Sequence, residues 1–250
     1  MKKFGLAVFA FLVAIFFSST ASAVVDVEGR YWLTDLDGTV QVSSDGVGTD
    51  IDLANDLGVD NKKNFFEGRI TLELGSHKLR YGFVPLKWDG SKTLTETITF
   101  AGQSYTASAD VESEMNLNYH RLGYEYDFID ALNNKLGVIL ELKYFDGDVS
   151  LRSSALGLDE TDSIKIPLPT VGVAAQVGLP MIFSVGGEIT GITLGSQAYL
   201  VDGEASVNIK PFPFVVISGG YRIFKMHVDY DNNKADLTLK GPFLTVKADF

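Results

Sequence analysis

Counting back from Phe250 in steps of two gives Ala248, Val246 and Leu244, with Asp249, Lys247 and Thr245 between them. One face of this stretch is apolar and the other polar, the pattern of a strand with lipid on one side and water on the other. The alternation recurs along the chain. Val25, Val27, Gly29, Tyr31 and Leu33 oppose Asp26, Glu28, Arg30, Trp32 and Thr34; Phe66, Gly68, Ile70, Leu72 and Leu74 oppose Glu67, Arg69, Thr71 and Glu73. Further stretches start at Leu79, Met115, Leu136, Ile164, Phe183, Tyr199 and Val215, predicting about ten strands in all. Residues 35–63, 89–110 and 146–162 are polar and read as long loops, the second with enough Thr and aromatic residues to extend as a hairpin. The other connections, such as Gly75-Ser76-His77 and Gly178-Leu179-Pro180, are tight turns.

Several strands change phase part-way along, near Pro85, His120, Pro169, Ile223 and Gly241-Pro242. After the first of these, Val84, Leu86 and Trp88 carry the apolar residues. Two readings fit: a ring of bulges at one height, since Pro and a phase slip are tolerated there, or strands that leave the membrane at that height so that the pattern lapses.

The first residues behave differently. Lys2 and Lys3, an apolar run from Phe4 to Phe17, and the small triplet Ala21-Ser22-Ala23 predict a secretory signal over 1–23, cleaved before Val24. The run falls short of the roughly 20 apolar residues of a membrane helix. The remaining domain, 24–250, has no continuous apolar stretch of that length, so any crossing is made by strands.

Composition narrows the class further. The 46% hydrophobic content suits a barrel with an apolar exterior. With no cysteine, disulfides and thiolate metal sites are excluded, and stability rests on a closed sheet. The net charge of −11, or −13 once Lys2 and Lys3 are removed, argues against nucleic acid as a partner and for acidic, water-facing loops.

A closing strand that ends on a carboxyl-terminal Phe resembles that of bacterial outer-membrane β-barrel proteins. The segment from Gly48 to Asp60, followed by Phe66 to Arg80, is similar to a pattern common among small proteobacterial outer-membrane barrels. The resemblance implies an all-β, closed antiparallel transmembrane barrel of about ten strands, with short periplasmic turns and long extracellular loops, in the outer membrane of a Gram-negative cell. It implies lipids and lipopolysaccharide around the wall and a barrel assembly machinery that reads Phe250. It implies no activity, cofactor or oligomeric state.

The polar faces define an inward set that includes Asp26, Glu28, Arg30, Glu67, Arg69, Glu73, Lys78, Arg80, Glu114, Glu125, Asp127, Glu141, Lys143, Glu188, Asp202, Glu204, Arg222 and Lys247. Arg30, Glu67, Arg69, Arg80, Glu141, Lys143, Glu188, Glu204 and Arg222 are the candidate lumen lining. Acids and bases facing each other across a narrow lumen either pair into a polar plug or line a water-filled passage. The expected role is a porin-like narrow passive channel or small-solute transport barrel without catalysis. The alternatives are a rim hydrolase and a non-conducting structural or surface-interaction barrel.

Candidate chemistry is sparse. His227 and Asp229 share a strand face above the expected membrane, and Asp35 and Asp37 form a second same-face pair. Together they resemble the rim site of the omptin proteases, with the His-Val-Asp order reversed. No Ser lies two residues from a His, so the signature of lipid-modifying barrel hydrolases is absent. His77 and His120 sit at a turn and a phase slip and read as structural. The carboxylates of 48–60 do not follow an EF-hand spacing; Asp52 as an N-cap, one helical turn over 53–57 and Gly58 as terminator explain the same residues.

Overall fold

A computed structural model describes residues 23–42, 48–131, 133–195, 197–230 and 233–250; of the expected signal over 1–23, residues 1–22 lie outside the described residues. The elements are β1 (Ala23–Gln41), β2 (Ile51–Asp52), β3 (Lys62–Leu74), β4 (His77–Thr93), β5 (Ile98–Phe100), β6 (Gln103–Tyr105), β7 (Asp110–Ala131), β8 (Asn134–Ser153), β9 (Leu158–Gly178), β10 (Phe183–Thr193), β11 (Ala198–Phe212), β12 (Val215–Tyr230) and β13 (Asn233–Asp249). Ten of them pair in sequence order, all antiparallel. β13 returns to β1 from Asp26↔Asp249 to Gln41↔Lys234, so the sheet closes into a ten-stranded barrel. Closure removes the free edge that an open sheet would expose to lipid. Phe250 extends the seam by exchanging two backbone hydrogen bonds with Val25, at 2.9 and 3.0 Å.

Along each strand the outward residues are apolar near the short-turn end and then stop being so at a common height. Leu33 is followed outward by Asp35, Pro85 by Lys87, His120 by Asn118, Tyr144 by Asp146, Pro167 by Lys165, Ile223 by Lys225 and Pro242 by Lys240. No register shift occurs at these positions: β4 and β7 hold one register from His77↔Tyr126 to Thr93↔Asp110, β8 and β9 from Lys135↔Gln176 to Ser153↔Leu158, β12 and β13 from Val215↔Ala248 to Tyr230↔Asn233, and β1 and β13 resume the same register at Asp35↔Lys240 after a gap beyond Trp32↔Phe243. Of the two readings, the ring of bulges is therefore absent among the described residues. The strands leave the apolar belt instead, and the apolar residues move to the inner face. Outward Leu33 is 43% exposed while Trp32 beside it is 1% exposed; Val84, Leu86 and Trp88 point into the barrel.

This inversion is what water demands. Inside the belt the surroundings are hydrocarbon, so apolar side chains face out and polar ones in. Above it the surroundings are aqueous, and the same barrel becomes a conventional β-domain with a hydrophobic centre. The long-loop end is capped by two pieces. In one, Asp52 Oδ1 accepts from the amides of Ala54 and Asn55, the Gly58 amide donates to the Ala54 carbonyl, and Gly58 has φ of 67°, as the N-cap and terminator reading requires. Its Ile51, Leu53, Leu57 and Val59 are buried. The other is the β5–β6 hairpin, which inserts Ile98, Phe100 and Tyr105. Residues 146–162, expected as a polar loop, are mostly strand: β8 and β9 run on to a turn at 154–157.

Candidate functional site

The inner surface is layered. At the short-turn end is a vestibule of about 410 Å³, bordered by Asp26, Lys78, Gln176, Ser184, Asn208 and Lys247. Above it lies a slab of charge, and above that the hydrophobic centre. All nine predicted lining residues face inward in the slab or at its edge. Arg222 holds Asp202 through Nε and Nη2, each at 2.8 Å, and reaches Glu67 with Nη1 at 2.8 Å. Lys143 Nζ lies 2.7 Å from Asp202 and 2.6 Å from Glu141. Arg30 clasps Glu204 at 2.6 and 2.8 Å, and Arg80 binds Glu188 at 2.6 Å and Glu125 at 2.8 Å. Arg69 lies 3.5 Å from Glu67 and 3.8 Å from Glu188.

Two members complete the network. Arg121 ties Glu141 to Glu188, at 2.9 Å to each, although a phase slip at His120 would have turned it away; unbroken alternation from Asp127 would have found it. Asp202, read as inward but not as a lining residue, takes four donors, two from Arg222, one from Lys143 and the Tyr119 hydroxyl. Glu114 was expected inside and is outside: it sits above the belt, 2.5 Å from Lys87. That hydrogen bond is the main reason its carboxyl is lowered below the ordinary range, while the same bond raises Lys87.

The slab is sealed on its upper side. Trp32 stacks over the Arg222 guanidinium at 4.7 Å. Phe243 covers Arg30 at 4.2 Å. Tyr119 stacks on Phe145 with centroids 4.5 Å apart, and Phe224 packs against both. Together with Leu200, Trp88 and Leu239 they span the barrel. Such a layer excludes water while the aromatic faces still favour the cations below.

The histidines occupy outer positions. His77 Nδ1 is 2.6 Å from the Tyr124 hydroxyl, and His120 Nδ1 is 2.9 Å from that of Tyr81. His227 is 2.6 Å from Asp236 on the next strand and stacks on Tyr199; Asp229 is 3.6 Å from Lys234 instead. The expected His227–Asp229 partnership is thus replaced by His227–Asp236, because residues opposite across two strands are closer than residues two apart on one. Asp35 and Asp37 face out along β1, opposite Lys240 and Thr238. Among the described residues no group of three His, Cys, Asp or Glu is arranged to hold a metal ion. Asp52 and Asp56 are both used by the backbone of their own turn.

No family profile matches the sequence, and no curated protein does. Solved structures do match by shape. The outer membrane protease OmpT from Escherichia coli aligns with a TM-score of 0.56 and 11% identity over 94% of this chain and 99% of that one. The translocator domain of the autotransporter NalP from Neisseria meningitidis aligns with a TM-score of 0.47 and 12% identity, over 100% and 95%. Ail, the attachment invasion locus protein of Yersinia pestis, aligns with a TM-score of 0.39 and 11% identity, over 92% and 99%. At these identities the likeness is one of fold. With its closed wall and apolar belt, the chain has the fold of the bacterial outer-membrane β-barrel proteins, which is consistent with a place in the outer membrane.

Proposed function

We propose that this protein is a non-conducting, non-enzymatic barrel that anchors a folded, acidic head at the outer surface of the cell, in a structural or surface-interaction role. The observation that carries this reading is the hydrophobic layer over the charge slab. Trp32, Trp88, Tyr119, Phe145, Phe224 and Leu200 are each no more than 3% exposed, and they fill the upper lumen from several strands. An ion crossing that layer would shed its water without protein donors or acceptors in exchange, a cost far above thermal energy. The slab beneath supports the same reading, since its acids and bases lie within ion-pair distance of one another and so leave no row of one charge to a solute. The passive-channel expectation therefore gives way to the closed alternative.

The head is suited to presentation. It extends the wall and packs around a hydrophobic core, with acidic side chains such as Asp37, Glu112 and Asp159 outward. The rim histidine does not favour catalysis: His227 engages Asp236 and Tyr199, and no hydroxyl nucleophile is bonded to it among the described residues. The test is single-channel recording of the refolded mature protein in a planar bilayer, beside a Trp32→Ala/Phe145→Ala/Phe224→Ala variant. Silence in the wild type, with steps emerging in the variant, supports the reading. Steady conductance of the wild type overturns it.

A further inference from the structure

Two pairs of neighbouring strands in the wall part above the belt: β3 and β4 beyond Gly68↔Phe83, where the capping segment bridges through Val59↔Gly90, and β9 and β10. β9 and β10 pair only from Ser184↔Gly178 to Gly191↔Val171. Above Val171, β9 continues to Leu158 with β8 on one side, and no described residue pairs with its other edge. Pro167 and Pro169 explain how such an edge survives. Two apart on a strand, they withhold N–H groups from the same edge, and since β8 pairs continuously through Tyr144↔Pro167 and Leu142↔Pro169, the edge concerned is the one turned toward β10. An open edge in hydrocarbon is costly chiefly for its unpaired donors and acceptors; the prolines remove two of the donors.

A groove of about 940 Å³ occupies the parting of β9 and β10, bounded by Leu140, Leu142, Pro169 and Val171 on one side and Tyr199 and Val201 on the other. It reaches through the wall to Leu200, a member of the hydrophobic centre. Its size is that of a small-molecule site, but its position is the top of the apolar belt, where the surrounding molecules are lipids. The outer cations fall into two sets. Lys63, Lys87, Arg152 and Lys234 each lie against a carboxylate. For Lys62, Lys92, Lys165, Lys225 and Lys240 no carboxylate lies within ion-pair distance among the described residues. Lys225 is the register partner of groove residue Val201, and Lys165 lies on β9 just above Pro169 and Pro167. They therefore flank the groove at headgroup height.

We propose that the groove holds an acyl chain of an anionic, phosphate-bearing lipid, with Lys165 and Lys225 receiving its phosphate. Long lysine side chains at this height extend to the interface, where an unpaired ammonium attracts an anionic headgroup; Asp146 is the cross-strand neighbour of Lys165 but forms no ion pair with it among the described residues. The proposal is independent of whether the lumen conducts.

The test is native mass spectrometry of the mature chain released from two kinds of vesicle: phosphatidylcholine with a minor share of phosphatidylglycerol, and phosphatidylcholine with a minor share of bisphosphorylated lipid A. The expected result is one retained lipid per barrel, with the anionic component enriched about tenfold over its share; the vesicle giving the greater enrichment identifies the natural source. Val201→Trp, which fills the groove, is expected to lower retention about tenfold. Lys165→Gln/Lys225→Gln is expected to keep a bound chain and lose the anionic preference. Heat-modifiable gel migration verifies folding, and Val171→Trp replaces Val201→Trp if the latter does not fold. Retention by the Trp variant equal to wild type, or enrichment that survives the double Gln variant, overturns the proposal, as does a wild type that retains no lipid or only phosphatidylcholine.

Discussion

Arg222 grips Asp202 with two parallel hydrogen bonds of 2.8 Å while the Trp32 ring lies over its guanidinium at 4.7 Å, so a cation that joins two carboxylates of the charge slab is also a contact with the hydrophobic layer above. The bidentate fork and the aromatic face are both geometries that guanidinium fits and ammonium does not. Arg222→Lys is therefore not conservative here.

Removing one partner of a buried pair leaves the other charge less compensated. Arg222→Met is expected to cost about 3 kcal/mol of barrel stability, because Asp202 and Glu67 both lose their nearest guanidinium, at 2.8 Å each, and keep only Lys143 and more distant arginines. Arg222→Met combined with Asp202→Asn is expected to regain part of that loss. Urea unfolding in vesicles, followed by intrinsic fluorescence, reads both. A single variant as stable as wild type would mean that the slab does not hold the wall together.

The layer above behaves as a protein core, although it lies within a membrane protein. Phe145 is 3% exposed between Tyr119 and Phe224, and Phe145→Ala is expected to cost about 3–5 kcal/mol, the cost of a large cavity. By contrast Leu140→Ala on the lipid face, 58% exposed in the belt, should cost distinctly less, since lipid chains fill the space vacated. The comparison uses the same unfolding assay. Equal losses would mean that the upper lumen is not packed.

Tyr105 carries a pH signature for the head. Its ring is fully buried and its hydroxyl donates to the Leu151 carbonyl at 2.8 Å, and burial pushes the phenol up to about 12. A folded pKa above the ordinary value of about 10 means that the neutral phenol contributes stability in full below about pH 10. That contribution is lost as pH rises through 12. Spectrophotometric titration should show one tyrosine ionising near pH 12 that is missing in Tyr105→Phe, whose hairpin should also be looser by about 1–3 kcal/mol through the unpaired Leu151 carbonyl. A titration unchanged by the substitution would contradict the docking of β6 on β8.

The fold was legible because a wall with lipid outside and charge inside writes its period of two into every strand, from Val25-Val27 to Leu244-Val246. The candidate lining residues were legible for the same reason. What misled was the assumption that apolar means outward throughout. At Val84, Met115 and Phe224 the alternation is intact, but the solvent outside has changed from lipid to water, so an inversion of faces looks like a slip of phase. That error removed Arg121 from the lumen, put Glu114 into it, and hid the aromatic layer packed above the charges. Whether paired charges form a plug or a passage depends on contacts such as Arg222–Asp202 across the barrel, which no local pattern encodes.

The inversion also predicts where the wall tolerates no side chain. Above the belt β7 and β8 approach so closely that a Cβ on Gly147 would lie 1.8 Å from the Asn116 carbonyl oxygen, an atom of the neighbouring backbone. Room at Gly147 can come only from moving β7 against β8, at a height where both strands also bury Leu117 and Val149. Gly147→Ala is expected to destabilise by about 1–3 kcal/mol. Gly68, on the lipid face of β3, has no atom within 4 Å of the same added carbon, and Gly68→Ala is expected to be neutral or to stabilise by about 0.5–1 kcal/mol through reduced freedom of the unfolded chain. Thermal unfolding followed by the loss of β-sheet circular dichroism orders the two variants on either side of wild type. If Gly147→Ala unfolded with or above wild type, the close packing of β7 on β8 above the belt would be refuted.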